Sequence, residues 1–297
     1  MVLPSDNPLV VVCNHVVLME IGEFGIWTSY RTLGEEHAAE AAKLVEDLGY
    51  GTFWLGGSPR LPSLRPLLEG SDQLTVATGI VNVWQYEPAA LAADYVSLIA
   101  EFPGERLLVG IGIGHPEAVS DYTRPLATMR AFLDGLDGAD PPLPRDARVL
   151  AALRPKMLSL AAERARGAHP YFVPVEHTAY ARSVLGDGPI LAPELACVVD
   201  PDPVRGARTA REYTAGYLRL QNYTSNLLEF GFTERDLADG GSDRLIDAIV
   251  PHGTPEEIVP VAFAHLEAGA DHVALQPVGV QGVPREEWRA LARVLGL

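Results

Sequence analysis

His115 closes the apolar run LLVGIGIGH (107–115), and a histidine at the end of a buried strand is placed to take up or return a proton near neutral pH. His169 holds a comparable place in GAHPYFV (167–173), two residues before Tyr171. Different chemistry is offered by ALRPK (152–156), where Arg154 and Lys156 flank Pro155. Proline suits the first turn of a helix, and the free N–H groups and positive dipole end found there favour an anion. Two cations this close in an acidic chain need a counter-charge, which a bound phosphate would supply; Lys156 also reads as a solvated helix residue. Glycines recur where apolar runs end, at Gly56, Gly57, Gly79, Gly112 and Gly114. Any one of them fits a tight turn, but together they let a flat ring system approach the backbone closely. Of the other histidines, His37, His252 and His265 read as surface residues and His177 as a helix cap.

The elements that must carry these residues alternate in type. FGIW (24–27), TFWLGG (52–57), LTVATGIVNVW (74–84) and LLVGIGIGH (107–115) read as the first four strands. RVLAAL (148–153), GAHPYFV (167–173), PILAPELACVV (189–199) and HVALQPV (272–278) read as the next four. Helical spacing appears at 35–48, from Pro88, at 126–136 and at 285–295. Runs rich in Val, Ile and Leu, separated by helices, are what a parallel sheet buried on both faces requires. Eight such units predict an α/β fold, a (β/α)₈ or TIM barrel, whose active site lies at the C-terminal ends of the strands. That rule nominates Trp27, Thr28, 56–58, 79–82 and 112–115 on the first half of the ring. On the second half it nominates 152–156, 169–171, Pro193, Glu194 and Gln276.

About seventy residues separate the seventh and eighth strands, more than one helix needs. Residues 219–244, rich in turn formers, read as an insertion between strands seven and eight, placed to cover the barrel mouth. Within it Asn222, Tyr223 and Asn226 are candidates to touch a substrate. No linker divides the chain, so residues 20–297 read as one barrel domain and 1–19 as an N-terminal extension. Its apolar part, 9–19, is broken by Asn14 and His15 and is too short to span a bilayer. It reads as an added strand under the barrel or as a loosely attached tail. A doubly wound fold would show GxGxxG after the first strand, and the motif is missing.

The chain has 297 residues, with 23 Lys and Arg against 39 Asp and Glu, a formal net charge of −16. Such a surface repels nucleic-acid phosphates and anionic membranes, which leaves a small molecule as the expected partner. Nearly all the basic side chains are arginine; Lys43 and Lys156 are the only lysines. Cys13 and Cys197 give neither a disulfide framework nor metal-ligand spacing, as fits a reducing cytoplasm, and no metal is expected. A metal-dependent barrel hydrolase would need an HxH pair near strand one and an aspartate after strand eight; the chain has neither.

In order along the chain, ATGIVNVW (77–84), LLVGIGIGHPE (107–117), LAALRPKMLSLAAERARGAHPYF (150–172), GGSDRLIDAIV (240–250) and GADHVALQPV (269–278) resemble the F420-dependent branch of the luciferase-like family. The resemblance runs in register from about Gly22 to the C-terminus. It implies a TIM barrel with an insertion after strand seven and hydride chemistry on coenzyme F420 at the mouth. It also implies a non-proline cis peptide at Gly79–Ile80 supporting the middle of the deazaflavin ring, with Asn82 close by. Gly112, Ile113 and Gly114 would line the ring or its side chain. Ala152, Leu153, Arg154 and Lys156 would hold the coenzyme phosphate, and His169 and Tyr171 would complete the cofactor contacts. Relatives tend to have glycine at the position of Arg154. The family's sugar-phosphate dehydrogenases have an acid where this chain has His115 and a histidine where it has 56–58, which argues against a sugar-phosphate substrate. The resemblance thus implies an oxidoreductase moving hydride between F420 and a small organic substrate, and a homodimer as in many relatives; the catalytic proton-handling group is then His115, whose pKa near neutrality and place at a strand end suit acid–base work. An FMN-dependent monooxygenase and a non-catalytic flavin-binding barrel are the alternatives.

Overall fold

A computed structural model describes residues 19–297 apart from 105, 120 and 121. The strands, in chain order, are β1 (Phe24–Ser29), β2 (Thr52–Gly56), β3 (Thr75–Gly79), β4 (Leu107–Gly112), β5 (Arg148–Leu150), β6 (Gly167–Ala168), β7 (Ile190–Leu191 and Glu194–Val199) and β8 (Val273–Pro277). Each pairs in parallel with the next from β1 to β7. The second part of β7 pairs with β8 and β8 with β1, so the ring closes as the expected (β/α)₈ barrel. A parallel ring needs a crossover after every strand. The longer ones are α1 (Glu35–Asp47), α2 (Pro88–Glu101), α3 (Pro125–Asp137), α4 (Pro155–Arg164), α5 (Val175–Leu185), α6 (Pro203–Tyr217), α7 (Gln221–Glu229), α8 (Asp243–Ile249), α9 (Pro255–Glu267) and α10 (Arg285–Leu295). Proline opens α2, α3, α4, α6 and α9, where its missing N–H costs no intrahelical bond.

Three strands differ from the sequence expectation. The run 74–84 breaks at a cis Gly79–Ile80 bond, as the resemblance implied, and Val81–Asn82 resumes the pairing against β4. The run 189–199 is interrupted at Ala192 and Pro193, since Pro193 has no N–H for the ladder. It still bridges its neighbours: Ala192 N–H bonds Ala168 O and Ala274 N–H bonds Pro193 O, each at 2.9 Å. β6 stops after two residues, before Pro170. The segment between β7 and β8 carries α6 to α9, and its His252–Gly253 forms an extra parallel pair with Val198–Val199 that the sequence reading lacked. The N-terminal extension falls outside the described residues except for Met19, whose carbonyl accepts from Arg166. Among the described residues no helix is long and apolar enough to cross a membrane.

The core has two shells. Outside the barrel, the strands' outward residues meet the helices; Phe53 packs edge-on against Trp288 of α10 at 6.0 Å, both fully buried. Inside it, Trp54 fills the axis among Ala77, Ala192 and Ala274, whose small side chains leave room for the indole. Trp54 Nε1–H donates to His272 Nε2 at 3.0 Å, and His272 Nδ1–H donates to Gly22 O at 2.8 Å. His169 stacks on Trp54, with centroids 4.1 Å apart and planes 8° from parallel. The barrel is thus plugged below His169 and hollow above it.

Two histidine assignments are corrected. His265 is fully buried, not on the surface, with Nδ1 2.8 Å from Thr178 Oγ1. His177 caps no helix: it is buried within α5 and its Nε2–H donates to Leu153 O at 2.8 Å, steadying the 152–154 loop. Both changes arise where α5 packs against α4 and α9, a contact that local sequence does not announce.

Candidate active site

Above His169 lies a cavity of about 890 Å³, within the range of small-ligand and cofactor sites. The residues expected at the mouth from β3 and β4, namely Gly79, Ile80, Asn82, Gly112, Gly114 and His115, all line it. So do Ala152, Leu153, Arg154 and Lys156 after β5, and His169 and Tyr171 after β6. Glu194 and Asn226 do not: Glu194 sits behind Phe172, and Asn226 is fully buried in α7. Sequence reasoning missed Tyr213 and Tyr217 of α6, which face the cavity from the far side. Their four-residue spacing carried the signal, since it puts both rings on one helix face.

The β1–β4 side is shaped by close approach. The Trp27 indole lies across the ends of β2 and β3: a Cβ on Gly56 would fall 2.0 Å from its ring and one on Gly79 2.3 Å from its Nε1. Ile80, just past the cis bond, lies over β4, and a Cβ on Gly112 would meet its Cδ1 at 2.5 Å. Glycine at these positions brings the backbone to the cavity surface, as a flat ligand needs.

The opposite wall is aromatic. Tyr171 OH donates to Gln276 Oε1 at 2.9 Å and lies 2.7 Å and 2.8 Å from the hydroxyls of Tyr213 and Tyr217. Tyr213 OH also donates to Gln276 Oε1, at 3.3 Å. The Tyr171 ring packs against Trp27 at 5.3 Å, and Tyr223 of α7 packs against His115 at 4.9 Å. Burial raises the pKa of Tyr171, Tyr213 and Tyr223 well above the ordinary phenol value, so these groups stay protonated. Behind them burial pushes the Glu194 carboxyl up to about 8, and its Oε2 accepts from the Phe172 N–H at 3.2 Å.

Helix α7 is fastened to the loop after β4. Glu117 Oε1 accepts from Gln221 N–H at 2.9 Å, and Asn222 Nδ2 reaches Gly114 O at 3.4 Å and His115 Nδ1 at 3.5 Å. His115 is half-buried; burial lowers its pKa against the opposing pull of Glu117, so the neutral ring dominates at pH 7.

At the rim, Arg154 pairs with Glu229 at the end of α7. The expected counter-charge for Arg154 is therefore a side chain, a correction to the reasoning that required a phosphate there. Lys156 is exposed and has no ion-pair partner among the described residues. In the first turn of α4, Pro155 has no N–H, and those of Met157 and Leu158 return to Arg154 O. The Lys156 N–H is the one left for a ligand. No Asp or Glu of the described residues lines the cavity, although the chain holds 39 of them.

These features fit a planar, phosphate-bearing coenzyme: a hollow of suitable size, a glycine-floored wall, and a lining free of the described residues' carboxylates in which Lys156 has no ion-pair partner among the described residues.

No family model matches the chain, and no curated protein matches it. Solved structures do. An F420-dependent secondary alcohol dehydrogenase in complex with an F420–acetone adduct is 14% identical, over 93% of this chain and 98% of that one, with a TM-score of 0.67. The coenzyme F420-dependent tetrahydromethanopterin reductase from Methanopyrus kandleri is 15% identical, over 92% and 98%, with a TM-score of 0.69. The oxygenating constituent of 3,6-diketocamphane monooxygenase from Pseudomonas putida, in complex with FMN, is 15% identical, over 93% and 97%, with a TM-score of 0.62. At these identities the likeness is one of fold, and that fold is the one expected from the sequence.

Proposed function

We propose that this chain is an oxidoreductase that holds coenzyme F420 in the barrel mouth and moves hydride between it and a small organic substrate. The observation that carries the reading is the charge of the lining: in a chain of net charge −16, the hollow at the barrel mouth excludes every carboxylate of the described residues and leaves Lys156 without an ion-pair partner among them. An anionic ligand explains both. When bound, the deazaflavin supplies a ring carbon that accepts or returns hydride.

The chain's own residues divide the remaining work. The Lys156 N–H and ammonium hold the phosphate beside Ala152, Leu153 and Arg154. Gly79, Ile80 and Gly112 support the ring plane, with Asn82 and Gly114 at its edge. Tyr171, Tyr213, Tyr217 and Tyr223 shut water out of the reacting face. His115, neutral at pH 7, takes the hydroxyl proton when hydride leaves a substrate alcohol and returns it in reverse. The same reading puts the enzyme in the cytoplasm as a homodimer.

Fluorescence titration of the purified protein with F420 and with FMN tests the proposal. F420 is expected to bind more tightly. Tighter binding of FMN would replace the reading with a flavin-dependent monooxygenase, and F420 binding without turnover of any alcohol or enone would leave a binding barrel. Lys156→Ala is expected to weaken F420 binding about tenfold at low salt, since a hydrogen bond to a charged group contributes about 1.5–3 kcal/mol. The loss should shrink as salt rises. Arg154→Ala should cost less, because Glu229 already meets that charge. Unchanged affinity in Lys156→Ala would move the phosphate elsewhere.

A further inference from the structure

His177 lies outside the cavity, fully buried in the first turn of α5, yet it bonds to a loop that forms the cavity wall. Its Nε2 is 2.8 Å from Leu153 O, and a carbonyl only accepts, so Nε2 carries the ring proton. Burial lowers its pKa to about 4 and keeps the ring neutral at physiological pH. The ring is also wedged in place. Phe230, just past α7, packs edge-on against it at 5.1 Å, and Tyr180 does so at 6.3 Å.

The Leu153–Arg154 peptide is trans and planar, so its C=O and N–H point in opposite directions. Leu153 and Arg154 both line the cavity, whereas His177 does not. With the Leu153 carbonyl drawn outward to His177, the Arg154 N–H is turned to the opposite side. That N–H has no hydrogen-bond partner among the described residues. The same turn takes a carbonyl oxygen, which repels an anion, away from the wall. The Arg154 side chain is held from above by Glu229 of α7, so two helices grip this one loop.

We infer that His177 is a positioning residue for the coenzyme phosphate, holding the Leu153–Arg154 peptide with its N–H toward the anion and its carbonyl away. This rests on the coenzyme reading and adds to it a residue that touches neither coenzyme nor substrate. The Arg154 N–H then joins that of Lys156. Two backbone donors are set before the ligand arrives, which spares the cost of ordering them on binding.

The test compares F420 with its phosphate-free ribityl deazaflavin, which keeps the ring and ribityl chain and lacks the phosphate and all beyond it. Fluorescence titration of the whole protein reads both affinities. Wild type is expected to prefer F420 by at least about tenfold. His177→Phe keeps a ring and loses the donor; it should bind F420 about tenfold more weakly and the phosphate-free form as wild type does. His177→Gln, whose amide N–H reaches the place of Nε2, should recover most of the loss. His265→Phe is the control. His265 is equally buried against α5 but bonds Thr178 instead of the loop, so the ratio of the two affinities should stay at the wild-type value. If His177→Phe fails to fold, His177→Met supplies a second donor-less variant. Wild type also gives an independent reading: F420 should slow hydrogen exchange at the Arg154 amide, and the phosphate-free form should not. A donor-less variant that weakened both forms alike, or neither, would overturn the positioning role and leave the coenzyme reading standing. So would unchanged exchange at Arg154, or equal binding of the two forms to wild type. Binding of neither form to wild type would overturn both.

Discussion

Acid is expected to unfold this chain cooperatively as the pH falls from 6.5 toward 4. Four histidines, His169, His177, His265 and His272, are held down to about 4 in the folded state, in each case chiefly by burial. In the unfolded chain they return to about 6.5. Between those values the unfolded state binds protons that the folded state refuses, so the stability present above 6.5 is lost as the pH drops. Each shift corresponds to about 3 kcal/mol, and four together reach the scale of a whole domain's stability, about 5–15 kcal/mol. Glu194 acts in the opposite sense: its folded-state pKa is raised to about 8 by burial, so its contribution is full below about 4.5 and is lost as the pH rises to about 8. Melting temperatures from near-ultraviolet circular dichroism should fall steeply below pH 6.5. Glu194→Gln should melt higher than wild type at pH 8 and alike at pH 4.5. A melting temperature that stayed level from pH 6.5 to 4.5 would show that the buried histidines accept protons without breaking the fold.

The second large effect concerns turnover. His115→Ala is expected to lower kcat by about 10²-fold while leaving F420 affinity nearly intact, as for a positioned acid or base. His115 is the one histidine at the cavity that is half-buried instead of sealed, and its Nδ1 lies beside Asn222. Because burial lowers its pKa, the acid limb of kcat for alcohol oxidation should fall below pH 6.5, where the ring begins to hold its proton. Glu117→Gln should move that limb to still lower pH, since the Glu117 carboxylate is the group that pulls against burial at His115. A variant lacking His115 that turned over at the wild-type rate would make the residue part of the wall.

Much of the site was legible in the strand ends. Gly79, Gly112 and His115 close apolar runs whose composition marks them as buried strands, and a barrel places such ends around one mouth. The cis bond at Gly79–Ile80 came from family resemblance, since no local physics requires it. What stayed hidden depended on partners distant in sequence. Glu229 meets Arg154 from another helix, and Thr178 meets His265 across the α5–α9 contact. Glu194 looked like a mouth residue by position, yet the break at Pro193 turns it behind Phe172. Tyr213 and Tyr217 escaped the sequence reading because only the placement of α6 over the barrel opening brings them to the cavity. Of the segment 219–244, Asn222 and Tyr223 reach the cavity, whereas Asn226 faces the interior.

The Trp54 plug bears on traffic. With the axis filled beneath His169, the hollow is a blind well entered from the top. Two guests that share a blind well obey a queue: the one seated at the bottom arrives first and departs last, and the one above it comes and goes. Steady-state kinetics should therefore show compulsory order, with the reduced or oxidised coenzyme competing against its own partner form and the organic product inhibiting noncompetitively against coenzyme. Random order would mean that the well has a side door.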